Sequence, residues 1–197
     1  MTPQELSDKL KAEIERGVAA CQAVADRNRT SMLALIDQVA ALDASPLPAD
    51  DHWLMFPTNY RPIKATGEFR DYGGFYTWEH EGIDFSMPVG VPIFACASGM
   101  VIFAWVKDGY GNCVRLEHLH NGKKWWTWYG HLSAIGVKVG RTVVAGETVG
   151  ASGNTGNTTG AHLHLTVQRE DCDFQPKGCT ANLKGVVNPR DWLQWPV

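Results

Sequence analysis

The sequence has no excess of charge of one sign. Its 197 residues include 18 lysines and arginines against 21 aspartates and glutamates, which gives a formal net charge of −3. A chain with this balance lacks the large basic surface that a nucleic-acid partner requires. We therefore expect no nucleic acid among its main partners.

The sequence also lacks a long apolar run. The longest, residues 93–106, is interrupted by Ser98 and Gly99 and is too short to cross a bilayer. The first thirty residues are charged and contain no apolar core of the kind found in secretory signals, so no signal peptide is visible in this chain. The sequence predicts no membrane span.

Cysteines are few and widely spaced. None of the five forms a Cys-x-x-Cys pair, so we do not expect a zinc site made of cysteines. Cys172 and Cys179 flank a short segment with proline and glycine and could close a small loop. Isolated thiols are an equally good interpretation of these two residues.

Glycine and tryptophan are almost missing from the first fifty residues. The chain has 20 glycines and 8 tryptophans, yet Gly17 is the one glycine before residue 53, and Trp53 is the first tryptophan. Such a shift in composition indicates a boundary. We predict a helical arm over residues 1–45, a linker over 46–60 and a domain over 61–197, with a C-terminal tail from about residue 169.

The arm has the pattern of one long helix over residues 4–43. Its seam positions are spaced alternately four and three apart for about four heptads, which is typical of a coiled coil. These positions are Ile14, Val18, Cys21, Ala25, Asn28, Met32, Leu35, Val39 and Leu42. We expect self-association or pairing with a partner helix; a helix packed on its own domain is the alternative.

The remainder of the chain has the pattern of a mainly β fold. Short apolar runs separated by glycine-containing turns predict an antiparallel β-sheet, arranged as a sandwich or barrel. The predicted strands cover residues 92–97, 100–106, 113–118, 125–129, 143–150 and 162–168. Asn121-Gly122 lies between two of them and predicts a tight hairpin.

One pair of histidines follows a glycine-rich loop. Residues i and i+2 of a strand point to the same face, so His162 and His164 should lie side by side. Residues 150–160, which precede them, contain four glycines and can bring backbone close to a site. Alone, such a pair is a weak indication of metal binding. His118 and His120 form a second pair, which we interpret as structural.

Residues 80–84 add further metal-ligating side chains. In an extended segment His80, Gly82 and Asp84 share one face, and Gly82 leaves room for an ion. Two histidines and one aspartate with an open position are typical of a catalytic zinc site. The helical His-Glu-x-x-His motif is excluded, because the fifth residue is Asp84 and a glycine interrupts the segment.

These segments resemble a known family. The segments His80-x-x-x-Asp84, Tyr129-Gly-His-Leu132 and His162-Leu-His164 occur in the order found in lysostaphin-type, or LytM-domain, zinc endopeptidases. Intervening segments such as Gly153-Asn-Thr-Gly156 agree, and the resemblance covers about residues 60–168. One departure is Leu165-Thr166, where the family often has Phe-Glu.

The resemblance implies both a site and an activity. His80, Asp84 and His164 would bind one Zn²⁺, and His131 and His162 would act in catalysis without binding the metal. The implied substrate is a peptide bond in bacterial peptidoglycan, in a stem peptide or a cross-bridge. The place of action would be the cell wall, reached by secretion, in the periplasm or by phage delivery. The alternative is a non-catalytic LytM-type regulatory module that activates a cell-wall amidase through its coiled-coil arm.

Regular strand geometry makes one more prediction near His131. Alternation would put Trp125 and Tyr129 on the face of His131, so that Tyr129 could line the cleft. Core packing is the expectation for the neighbouring tryptophans.

Overall fold

The computed structural model describes residues 26, 29–30, 52–71, 79–172 and 185–196. Three of these belong to the predicted arm and are helical: Asp26, Arg29 and Thr30. The Thr30 hydroxyl donates to the Asp26 carbonyl at 3.0 Å, and the Arg29 guanidinium contacts the Glu117 carboxylate at 2.5 Å. The rest of the arm, with Asn28 and the heptad seam, lies outside the described residues.

The domain consists of antiparallel sheets, which confirms the mainly β prediction. Its strands are β1 (Ala65–Gly67), β2 (Ile83–Ser86), β3 (Pro92–Phe94), β4 (Gly99–Lys107), β5 (Gly111–His120), β6 (Lys123–Leu132), β7 (Ala134–Ile135), β8 (Thr142–Val143), β9 (Thr148–Ala151), β10 (His162–Arg169) and β11 (Val186–Val187). Within the described residues, the large sheet has eight strands in the order β1-β2-β10-β6-β5-β4-β8, with β11 paired to β10, and β3-β9-β7 form a three-stranded sheet. A 3₁₀ helix, Pro189–Asp191, follows β11.

Turn chemistry sets the strand boundaries. Asn121 and Gly122 have φ values of 50° and 73° and join β5 to β6, as the predicted hairpin requires. The strand expected over residues 143–150 is instead two strands. The chain turns between them, where the Glu147 amide donates to the Val144 carbonyl at 3.0 Å and Gly146 has a φ of 81°.

The main core lies on one face of the large sheet and includes residues from both sheets. Leu163 of β10, Ile93 of β3 and Val149 of β9 are completely buried in the same cluster. Leu54, in the segment assigned to the linker, joins this core and forms a parallel bridge with Leu193 from the C-terminal segment. Both ends of the described domain therefore pack against the sheets.

The opposite face of the large sheet carries the polar residues of β10. His162, His164, Thr166 and Gln168 alternate with the core residues of that strand. A second buried cluster lies on this face and contains Tyr110, Cys113, Trp128 and Val186. The large sheet therefore separates His162 and His164 from the main core.

The prediction for Tyr129 is wrong. Its side chain is fully buried in the main core, where its hydroxyl accepts a hydrogen bond from the Cys96 amide at 2.8 Å. Alternation fails after Tyr129 because the β5–β6 register shifts between Asn112 and Val114 and because His131 has a left-handed φ of 59°. His131 therefore leaves the face that Tyr129 occupies.

Among the described residues, no helix has both the length and the apolar character that crossing a membrane takes.

Candidate metal centre

Three side chains that the sequence singles out converge on the face opposite the core. His80, Asp84 and His164 are buried, and each offers one metal-ligating atom within 4.8 Å of the other two. His80 Nε2 lies 3.1 Å from His164 Nδ1 and 3.2 Å from Asp84 Oδ1, and the last two atoms are 2.8 Å apart. These separations approach the roughly 3.3 Å edge of a tetrahedron with metal–ligand bonds of about 2.0–2.1 Å.

Strand pairing brings these residues together. Asp84 on β2 lies directly opposite His164 on β10, and the neighbouring pair is Ile83 with Leu165. Gly82 allows the close approach, because a Cβ there would lie 2.3 Å from the Leu165 carbonyl oxygen and 2.9 Å from the His164 ring. The glycine predicted to leave room for an ion thus leaves room for the His164 imidazole.

Both imidazoles of this cluster have a hydrogen-bond partner on the side away from it. His80 Nδ1 donates to the Glu68 carbonyl at 2.8 Å, which leaves Nε2 as the unprotonated atom facing the cluster in the neutral ring. His164 Nε2 lies 2.8 Å from the Thr166 hydroxyl. Such partners fix the tautomer and orientation of a metal-ligating histidine.

The electrostatics of the cluster favour an ionised carboxylate. Burial by itself would raise the pKa of Asp84, but the hydrogen-bonding and charge interactions with His164 and His80 outweigh burial and hold this pKa well below its usual range. Burial disfavours a charged His80, yet the Asp84 carboxylate raises the pKa of His80 on balance. The site therefore combines one anionic oxygen with two imidazole nitrogens, a donor set that suits Zn²⁺.

Two further histidines border the cluster. The rings of His131 and His162 lie 4.5 Å apart between centroids, and His162 Nε2 is 3.6 Å from Asp84 Oδ1. In both rings Nδ1 donates to a backbone carbonyl at 2.7 Å, that of Thr155 for His131 and that of Gly160 for His162. Their Nε2 atoms are consequently acceptors in the neutral state.

Burial, followed by the charges of His164 and His162, lowers the pKa of His131 to about 4. This imidazole is therefore neutral at physiological pH and able to accept a proton.

The second pair of histidines lies elsewhere. His118 is buried against the main core, with Nδ1 donating to the Ser98 carbonyl at 2.9 Å and Nε2 2.9 Å from the Thr127 hydroxyl. His120 stacks on Trp53, with 4.2 Å between the ring centroids. Neither residue belongs to the cluster of His80, Asp84 and His164.

The sequence did not identify Tyr110 as part of this site. Its ring meets the His164 ring edge-on, with centroids 5.0 Å apart and planes at 88°, and its carbonyl accepts from the His131 amide at 2.7 Å. The available signal was the turn Asp108-Gly109-Tyr110-Gly111, in which Gly109 and Gly111 have φ values of 79° and 64°. This turn places the Tyr110 ring against His164 of the sheet.

Known proteins match the part of the chain that contains this cluster. The sequence model of Peptidase family M23 matches residues 78–176. Peptidoglycan DD-endopeptidase ShyA of Vibrio cholerae is 44% identical over 85 residues, which are 43% of this chain and 19% of that protein.

Solved structures show the same relationship. The catalytic domain of the antimicrobial peptidase lysostaphin from Staphylococcus simulans superposes with a TM-score of 0.54 at 32% identity, covering 65% of this chain and 90% of that one. A zinc containing peptidase from Vibrio cholerae superposes with a TM-score of 0.52 at 30% identity, covering 58% and 36%.

The chain matches 17% to 30% of the length of these curated relatives. The matched segment begins just before His80, continues beyond His164 and includes every residue of the cluster and its two flanking histidines. The chain belongs to peptidase family M23.

Proposed function

We propose that this protein is a zinc-dependent endopeptidase that hydrolyses peptide bonds in bacterial peptidoglycan, in a stem peptide or a cross-bridge. The observation that carries the proposal is the convergence of three ligating atoms beside two histidines that do not belong to the ligand set. Membership of the family and the names of its relatives support peptidase activity.

In this proposal His80 Nε2, Asp84 Oδ1 and His164 Nδ1 hold one Zn²⁺. The donor chemistry fits, since two imidazoles and one carboxylate leave a bound zinc positively charged with a position open. A zinc ion bound there would polarise the scissile carbonyl and bring the pKa of a water molecule close to neutrality.

His131 and His162 supply the proton transfers. Each presents an Nε2 acceptor because its Nδ1 is committed to a backbone carbonyl. One ring accepts the proton of the attacking water and later delivers it to the leaving amine. The other takes up a proton from solvent before the attack and, as an imidazolium, donates a hydrogen bond from Nε2 to the developing oxyanion.

Peptidoglycan as the substrate is supported by the relative named Peptidoglycan DD-endopeptidase ShyA. The proposed place of action is accordingly the cell wall, reached by secretion, in the periplasm or by phage delivery.

The test is digestion of purified peptidoglycan sacculi by the full chain, with mass spectrometry of the released fragments. We expect new amino and carboxyl termini at one type of peptide bond, and loss of this product after treatment with a chelator. Re-addition of Zn²⁺ should restore it. Zinc binding without any cleavage would contradict the proposal and favour the regulatory module instead.

A further inference from the structure

A neutral hydroxyl group is the hydrogen-bond partner of His164 Nε2, the ring nitrogen that points away from His80 and Asp84. Thr166 lies two residues further along β10 on the same face, and its Oγ1 is 2.8 Å from His164 Nε2. Thr166 is completely buried. The hydrogen-bond partner of this ring nitrogen is therefore fixed by the protein and has no access to bulk solvent.

A second hydroxyl group completes the arrangement. The Tyr110 hydroxyl lies 2.8 Å from Thr166 Oγ1, and the Tyr110 ring packs edge-on against the His164 imidazole. Tyr110 is itself buried. The tyrosine thus restrains both the ring of His164 and the oxygen to which that ring is hydrogen-bonded.

Gly130 makes this reach possible. Tyr110 precedes β5, Thr166 lies on β10, and β6 runs between these two strands, with Gly130 opposite His164. A Cβ at Gly130 would lie 2.9 Å from Tyr110 Cδ1. Because that position has no side chain, the Tyr110 ring can extend over β6 to the Thr166 hydroxyl.

The chemistry of a ligating imidazole requires such a partner. When Nδ1 donates its lone pair to a metal, Nε2 carries the proton of the neutral ring and must find an acceptor. A buried N–H left without an acceptor loses its hydrogen bond to water and destabilises the protonated tautomer that metal binding needs. Thr166 Oγ1 lies where that acceptor is needed, and Tyr110 fixes its orientation.

We propose that Thr166 and Tyr110 are positioning residues that hold His164 in the tautomer and orientation required for metal binding. This inference rests on the proposed function, since it takes His164 to be a ligand. The arrangement is neutral, so it orients the imidazole without adding a negative charge beside the metal.

The test compares zinc affinities of full-length variants, measured by competition with a chromophoric chelator. Thr166→Val keeps the shape of the side chain but removes the hydroxyl, and we expect zinc affinity to fall about 10- to 100-fold. Thr166→Ser should restore affinity to within about 3-fold of the original, because it restores the acceptor. Tyr110→Phe should show a smaller loss than Thr166→Val.

The chain offers a matched control on the core face. Thr127 is also completely buried, and its hydroxyl lies 3.0 Å from the Tyr129 hydroxyl and 2.9 Å from His118 Nε2. Thr127→Val therefore breaks a similar set of hydrogen bonds away from the cluster. We expect it to lower the stability of the fold and leave zinc affinity unchanged.

A spectroscopic measurement separates positioning from general stability. With Co²⁺ in place of zinc, the visible absorption bands should change in position or intensity in Thr166→Val and remain unchanged in Thr127→Val. Equal affinity and spectra for Thr166→Val and the unmodified protein would overturn the inference, as would a serine variant as weak as the valine variant. If the unmodified protein bound no metal, both this inference and the proposed function would be overturned. If the unmodified protein bound zinc and cleaved peptidoglycan, and Thr166→Val did the same with equal zinc affinity, only the inference would be overturned.

Discussion

Replacing Gly82 with alanine should damage the metal centre through sterics alone. The new Cβ would lie 2.3 Å from the Leu165 carbonyl oxygen and 2.9 Å from the His164 ring. Both neighbours belong to β10, and a backbone carbonyl in a paired strand has little freedom to move. Restoring a 3.0 Å contact requires about 0.7 Å of displacement between β2 and β10.

This displacement is large for a metal site. Metal–ligand distances in real sites fall within about 0.2 Å of their ideal values, so a shift of about 0.7 Å between Asp84 and His164 separates the donor set. We expect zinc affinity to fall at least about 10- to 100-fold, the range found when groups that orient a ligand are altered. Overpacking should also lower the free energy of unfolding by about 1–3 kcal/mol.

Two other glycines provide controls for this experiment. A Cβ at Gly99 would lie 2.4 Å from the Glu117 carbonyl oxygen and 2.6 Å from His118 Nδ1, a similar clash away from the cluster. A Cβ at Gly160 would meet nothing within 4 Å. Zinc affinity is measured by chelator competition and stability by urea unfolding in metal-free buffer. Gly99→Ala should lose stability only, and Gly160→Ala should bind zinc normally.

Zinc binding by Gly82→Ala as tight as that of the unmodified protein would contradict this prediction. An equal loss of zinc affinity in Gly99→Ala and Gly82→Ala would contradict it as well.

Alanine at His131 or His162 should leave zinc content nearly unchanged while hydrolysis falls about 100-fold or more, and loss of metal in either variant would contradict the assignment. Burial holds the pKa of His118 at about 4, against 6.5 in the unfolded chain. As the pH falls from 6.5 to 4, the unfolded state therefore binds this proton before the folded state does. The free energy of unfolding should decrease by on the order of 3 kcal/mol over that pH range. His118→Gln should show a smaller fall in urea unfolding, and an equal fall would refute the prediction. Light scattering across a concentration series should show the intact chain to be heavier than a fragment starting near Asp50, if residues 4–43 pair as a coiled coil; equal monomer masses would exclude self-association.

Much of the fold follows from local rules in the sequence. Asn121-Gly122 specifies a hairpin because both residues adopt the left-handed φ values that its turn needs. Alternation along β10 correctly places His162 and His164 on one face, since the strand is regular over that stretch. The segment around Asp84 could be paired with β10 only through resemblance, because a sequence alone does not state strand order.

The failures have equally specific causes. The position of His131 depends on a register shift and a left-handed φ, and neither can be read from residues of ordinary β propensity. The contact between Tyr110 and Thr166 joins residues 56 positions apart and depends on the missing side chain of Gly130. Leu54 was assigned to a linker by composition, yet its partners in the core come from distant segments.

The zinc content of purified Asp84→Ala tests most directly whether this protein is a zinc-dependent endopeptidase. Zinc is measured by elemental analysis beside the unmodified protein, and peptidoglycan hydrolysis is assayed on the same preparations. Asp84 is the one carboxylate among the three residues that we propose as ligands, so its loss leaves only two imidazoles to hold the ion. We predict about one zinc per chain and cleavage for the unmodified protein, and little zinc and no cleavage for the variant. Full zinc occupancy with undiminished cleavage in Asp84→Ala would contradict the account.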